Sequence, residues 1–137
     1  MKFKYNIEGG DFTKAGNASS AIKKVLKQLN VDSKVIKRIV VALYEGEVNV
    51  VAHAYEGTIE AEINAERIYV KIEDRGPGIP DIDLAMTVGY STASAKVREM
   101  GFGAGMGLPN MKKNADELKV TSKAGEGTTV ELTTYLK

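Results

Sequence analysis

Three polar residues recur at four-residue spacing in the middle of the 137-residue chain: Glu45, Asn49 and His53. On a helix this spacing stacks them along one face. They follow the apolar run Ile39-Val40-Val41-Ala42-Leu43-Tyr44, where amphipathicity alone does not ask for a carboxylate and an amide. A carboxamide oxygen is a hard ligand for Mg²⁺, which takes few protein ligands and fills its shell with waters and phosphate oxygens. A carboxylate one turn earlier can accept the proton of an attacking hydroxyl or water. Glu45 and Asn49 therefore make chemical sense beside bound phosphates. The plain alternative is a polar edge on an amphipathic helix, and for His53 that reading is taken, as a packing or hydrogen-bonding residue and not a ligand.

A second group is Glu73-Asp74-Arg75-Gly76-Pro77-Gly78-Ile79-Pro80, which follows the alternating run Ile68-Tyr69-Val70-Lys71-Ile72. A carboxylate held at a strand end can accept from an exocyclic amine. Glycines beside it let a flat ring approach the backbone, because no Cβ intervenes. Alone, Asp74-x-Gly76-x-Gly78 also reads as a simple turn. The third group is Gly101-Phe102-Gly103-Ala104-Gly105-Met106-Gly107-Leu108-Pro109, which leads into a helix with Pro109 in its first turn. Backbone N–H groups at such a start bind phosphate. No strand directly precedes these glycines, and no Gly-Lys-Ser/Thr follows, so neither the dinucleotide fingerprint nor the Walker loop fits.

The elements that position these groups follow from periodicity. Phe3, Tyr5 and Ile7 alternate with Lys2, Lys4 and Asn6 as a half-buried strand. Asp11 or Thr13 is the expected cap of a first helix, whose apolar face is Ala18, Ile22, Val25, Leu26 and Leu29. Asp32 or Ser33 caps a long helix from about Lys34 to Ala54, with Gly57 as its stop. A hairpin follows, with Ile59, Ala61 and Ile63 on one strand and Ile68, Val70 and Ile72 on the next. A short helix is expected over Asp81–Met86, then an irregular stretch from Thr87 to Gly107 of the kind that forms lids and binding loops. Leu118, Val120 and Ser122 mark a fourth strand, Gly125-Glu126-Gly127 a turn, and Val130, Leu132, Thr134 and Leu136 a fifth strand. Hairpins with helices between them predict an α/β (α+β) fold. It is a two-layer sandwich whose mixed, largely antiparallel sheet is covered on one face by helices.

Length and content fit one domain over residues 1–137, with 43% hydrophobic and 27% charged residues. A net charge of +1 gives no reason to expect nucleic acid or an acidic membrane surface as partner. The absence of cysteine excludes disulfides, thiolate metal sites and a cysteine nucleophile. The N-terminus lacks the apolar core of a signal peptide, and no run is long enough to span a membrane, so a cytoplasmic protein is expected.

Helical Glu45-x-x-x-Asn49-x-x-x-His53, strand-end Asp74-x-Gly76-x-Gly78, Gly103-x-Gly105-x-Gly107-Leu108 and Gly125-x-Gly127-Thr128 occur in that order over nearly the whole chain. The set resembles the GHKL superfamily, the Bergerat-fold ATPases. Length and the segment Glu73 to Ile82 are closer to the small bacterial anti-sigma and switch serine/threonine protein kinases. The resemblance implies ATP and Mg²⁺ as cofactors and Glu45 as general base. It implies Asn49 as the Mg²⁺ ligand, acting through the ATP phosphates. It places Asp74, Gly76, Gly78, Ile79 and Thr128 around the adenine. Gly103, Gly105, Met106, Gly107 and Leu108 would form the phosphate cradle. Lys96 and Arg98 are the basic residues offered for the terminal phosphate, although neither sits at the family's spacing. The implied partners are a STAS-type antagonist protein and a sigma factor, and a homodimer is compatible with the resemblance. The implied activity is serine/threonine phosphorylation of the STAS partner. The alternative is an ATP-gated interaction module with little kinase activity. Gly46 departs from the pattern, because a helix-favouring residue is expected directly after the base.

Overall fold

Alternating side chains and short turns in the N-terminal and C-terminal parts of the chain build one sheet, and two 3.6-period segments between them build its cover. The computed structural model describes residues 1–79, 86 and 107–136. Strand β1 (Lys2–Glu8) leads through a short 3-10 turn to helix α1 (Asn17–Gln28) and helix α2 (Ser33–His53). Strands β2 (Glu56–Ile63) and β3 (Arg67–Arg75), helix α3 (Gly107–Asn114), and strands β4 (Glu117–Lys123) and β5 (Gly127–Tyr135) follow. The strand order is β1-β2-β3-β5-β4, and every neighbouring pair runs antiparallel. Residues 81–85 of the expected short helix and residues 87–106 of the irregular stretch lie outside the described residues.

The two faces of the sheet are sorted by the two-residue period. Tyr5, Ile59, Ile72, Val130 and Val120 form one row across all five strands on the inner face. Phe3, Ala61, Val70, Leu132 and Leu118 form the next. The helices cover these rows with Ile22, Leu26, Ile36, Ile39, Leu43 and Met111, all part of one core. On the outer face the register places Lys4, Glu60, Lys71, Glu131 and Lys119 in a line, so charge alternates from edge to edge. A shift of β5 against β3 or β4 by two residues would keep the core face inward but break this line. Opposite charges on neighbouring strands each contribute roughly 0.2–1 kcal/mol, enough in sum to favour the observed register. The Tyr69 hydroxyl donates to Glu131 at 2.5 Å on this face, and that bond pushes its ionisation up to about 12.

Two expected caps differ from what the structure shows. Asp32 caps α2 as predicted, its carboxylate accepting from Lys34 N at 2.8 Å. Asp11 and Thr13 do not cap α1: Thr13 Oγ1 donates to Asp11 Oδ1 within the preceding turn. Helix α1 begins after Gly16, at φ +96, a conformation glycine accepts and other residues resist. Its cap comes from α2 instead. The buried Glu47 carboxylate accepts from Ala18 N at 3.1 Å, Ser19 N at 3.2 Å and Ser19 Oγ at 2.7 Å. Gly57 also does not stop α2. The helix ends at His53, and Gly57 lies inside β2 opposite Asp74.

Candidate active site

Helix α2 sets the axis of the site. Glu45 and Asn49 lie one turn apart on it, both half-buried. The first residue of α3, Gly107, sits over them. A Cβ on Gly107 would lie 3.9 Å from Glu45 Oε2 and 4.0 Å from Asn49 Oδ1. The carboxylate and the carboxamide oxygen therefore face one space, and the N-terminus of α3 borders it. The unpaired N–H groups and positive dipole end of a helix start favour anionic oxygen there. Helix α3 is fixed in this place by Leu108 and Met111, both buried in the core. Asn110 Nδ2 also donates to Glu45 Oε1 at 3.2 Å.

Gly46, which departs from a helix-forming pattern, has a packing reason. A Cβ there would lie 2.3 Å from Ile72 Cδ1 and 3.3 Å from Met111 Sδ. A side chain there would force the end of the buried Ile72 side chain to shift, and glycine spares the core that adjustment. His53, half-buried at the end of α2, loses solvation of its charged form and is held below its usual 6.5.

The second half of the site depends on strand order. Because β5 inserts between β3 and β4, the end of β3 meets the start of β5. Thr128 N donates to Asp74 Oδ1 at 3.0 Å across 54 residues of sequence. With Oδ1 committed to the backbone, Oδ2 is the oxygen that can take an outside donor. Burial raises the Asp74 carboxyl above its ordinary 3.8, and the Thr128 N–H offsets part of that rise. Glycine is required on both sides. A Cβ on Gly127 would fall 2.1 Å from Asp74 O, and one on Gly78, at φ +78, 2.6 Å from Lys123 O. Gly76 N donates to Glu126 O at 3.2 Å and so ties the Asp74 turn to the β4–β5 turn.

The two halves join along α2. The residue opposite Asp74 is Gly57, whose Cβ would lie 2.8 Å from Val50 Cγ1 and 3.3 Å from Asp74 Cβ. Gly76 packs on Ala54. Asp74 thus stands over the C-terminal turns of α2, while Glu45 stands near its middle. At 1.5 Å per residue the interval from Glu45 to Ala54 is about 13 Å, an elongated site with an acceptor at one end and phosphate-suited groups at the other.

Of the residues expected from sequence, Glu45, Asn49, Gly107 and Leu108 converge at one end. Asp74, Gly76, Gly78, Ile79 and Thr128 converge at the other. Lys96, Arg98, Gly103, Gly105 and Met106 lie outside the described residues. Sequence reasoning missed two groups. Ser122 Oγ accepts from Ile79 N at 2.7 Å, donates to Gly127 O at 3.1 Å and meets Thr128 Oγ1 at 3.0 Å. It is the clamp that holds the two turns together, and its bond to Ile79 N, 43 residues away in sequence, was not readable before the turn after β3 was seen to meet the β4–β5 hairpin. Asn110 was likewise invisible, since its role depends on how α3 packs against α2.

Residues 11–134 match the histidine kinase-like ATPase domain. The chain belongs to that family. Among its relatives, the serine/threonine-protein kinase RsbT of Bacillus subtilis is 35% identical, with 84% of each chain covered. An anti-sigma F factor of Thermoanaerobacter is 33% identical, with 99% of this chain and 97% of the relative covered. The structure of the RsbU and RsbW domains of Rv1364c from Mycobacterium tuberculosis superposes with a TM-score of 0.65 at 18% identity. The match covers 98% of this chain and 32% of that one, which shows a shared fold. Among the described residues no helix is long and apolar enough to cross a membrane.

Proposed function

We propose that this chain is an ATP-dependent serine/threonine protein kinase of the anti-sigma or switch type, acting on a small STAS-type protein in the bacterial cytoplasm. The observation that carries the reading is the shared space beneath Gly107. There a carboxylate and a hard amide oxygen border one space at a helix N-terminus, with an adenine-suited acceptor toward the other end of α2. The relatives named as a serine/threonine kinase and as anti-sigma factors support it.

In this reading Asp74 Oδ2 accepts from the adenine amino group, a donor that guanine does not offer at that position. Gly76, Gly78 and Ile79 let the base lie against the turn, and Thr128 holds the carboxylate. The donor set beneath Gly107 suits Mg²⁺. Asn49 would supply one hard oxygen, and phosphate oxygens and waters the rest of the shell. The metal would neutralise phosphate charge during transfer. Glu45 takes the proton of the acceptor serine or threonine hydroxyl. The freed oxygen attacks the γ-phosphorus of ATP, the bond to the β–γ bridging oxygen breaks, and ADP leaves. Gly103, Gly105 and Met106, with Lys96 or Arg98, would complete the phosphate contacts.

Intact-mass spectrometry of a STAS-type protein incubated with this chain and Mg·ATP tests the reading. One added phosphate that depends on Glu45 is expected. Glu45→Ala should retain nucleotide affinity and lower turnover by about 10²–10⁴-fold. No added phosphate, with ATP-dependent complex formation intact, would replace the kinase reading with a nucleotide-gated binding module.

A further inference from the structure

Helix α3 is more than a border to the phosphate end. Leu108 and Met111 bury its inner face, so its distance from α2 is set by the core. Asn114 Nδ2 donates to the Asn110 carbonyl at 2.9 Å and closes the last turn. From this fixed frame Asn110 Nδ2 reaches Glu45 Oε1 at 3.2 Å. The opposite amide orientation would set Oδ1 against a carboxylate oxygen, so electrostatics selects the donor.

A glutamate has three rotatable side-chain bonds, and Glu45 is only half-buried. Packing alone does not decide which way its carboxylate points. A general base must stand within about 2.6–3.2 Å of the proton it takes. We propose that Asn110 is the positioning residue for Glu45. It holds Oε1 and thereby presents Oε2 to the space that Gly107 leaves open and Asn49 shares. The proposal rests on Glu45 acting as the base. Glycine at 107 and asparagine at 110 then serve one end: the first keeps the space open, the second aims the group that works in it.

The test compares Asn110→Leu, Asn110→Gln, Glu45→Gln and the Asn110→Leu/Glu45→Gln double variant of the whole chain. Each is assayed for ADP formation at saturating Mg·ATP with the STAS-type protein present as acceptor and, separately, for ATP affinity by calorimetry. Asn110→Leu should lower kcat about tenfold, because a misplaced group loses most of its effective concentration, with ATP affinity within about twofold of wild type. Asn110→Gln, which keeps an amide donor, should recover most of the loss. In the Glu45→Gln background, Asn110→Leu should have no further effect.

Wild-type kcat in Asn110→Leu, with Glu45→Gln slow, would overturn this inference alone. So would a tenfold loss that persists in the Glu45→Gln background. A matching loss of ATP affinity would instead make Asn110 a nucleotide contact and overturn positioning. Full turnover by Glu45→Gln would remove Glu45 as the base and this inference with it, while no ADP formation by wild type would overturn the kinase reading and this inference together.

Discussion

Glu47 is 2% exposed and accepts three hydrogen bonds at the N-terminus of α1, from Ala18 N, Ser19 N and Ser19 Oγ. Replacing it with alanine leaves three buried donors without their acceptor, and each such group costs about 1–3 kcal/mol. The α1 dipole loses a compensating negative charge, a further effect of up to about 2 kcal/mol in partly buried settings. Two effects act the other way. The buried carboxylate no longer needs to be desolvated. A groove of about 550 Å³, lined by Glu47, Ala18, Asn17 and Asp11, can also admit water to the stranded donors. The net expectation for Glu47→Ala is a loss of about 2–4 kcal/mol, read as a fall of roughly 7–14 °C in Tm for a chain of this size. Glu47→Gln keeps an acceptor for Ser19 but turns a donor toward Ala18 N, so about half the loss is expected. Urea denaturation and calorimetry at pH 7 measure both. A Glu47→Ala protein within about 0.5 kcal/mol of wild type would refute the claim that this carboxylate caps α1.

Asp74→Asn should separate stability from binding. The native carboxyl titrates above its ordinary 3.8, so the folded state binds more protons than the unfolded state between those values. Stability therefore falls as pH rises through that window, and the ionised Asp74 is a burden at neutral pH. The asparagine variant should melt higher than wild type near pH 7, with the gain fading on acidification through that window. ATP affinity, measured by calorimetry, should weaken by about 1–3 kcal/mol. An unchanged affinity would remove Asp74 from the adenine end. Gly46→Ala should lower stability by about 1–3 kcal/mol through overpacking, despite alanine's better helix propensity, because the new Cβ meets Ile72 Cδ1. Ile72→Val deletes that atom, so a double-mutant cycle should show a coupling that favours the pair; strict additivity would mean that the contact does not limit the site.

Much of this protein is local and was therefore legible in its sequence. The alternation of Phe3, Tyr5 and Ile7, or of Ile68, Val70 and Ile72, fixes which face of each strand is buried, whatever the neighbours are. Asp32 caps α2 through an N–H two residues away. Glu45 and Asn49 share a face because 3.6 residues make a turn. The chemistry of these groups, a proton acceptor and a hard oxygen ligand, belongs to their side chains and needed no fold.

Tertiary structure decided what depends on long-range contact. Nothing local marks Glu47 as a cap, and only the packing of α1 on α2 makes it one. Gly46 looks like a weak point until Ile72 is seen to need its space. Ser122 becomes a clamp, and Asp74 gains Thr128, because β5 inserts between β3 and β4. Asn110 reaches Glu45 because Leu108 and Met111 bury one side of α3. In each case the deciding partner (Ala18 for Glu47, Ile72 for Gly46, Ile79 for Ser122, Thr128 for Asp74, Glu45 for Asn110) lies tens of residues away, and a sequence pattern has a range of only a turn or a strand pair.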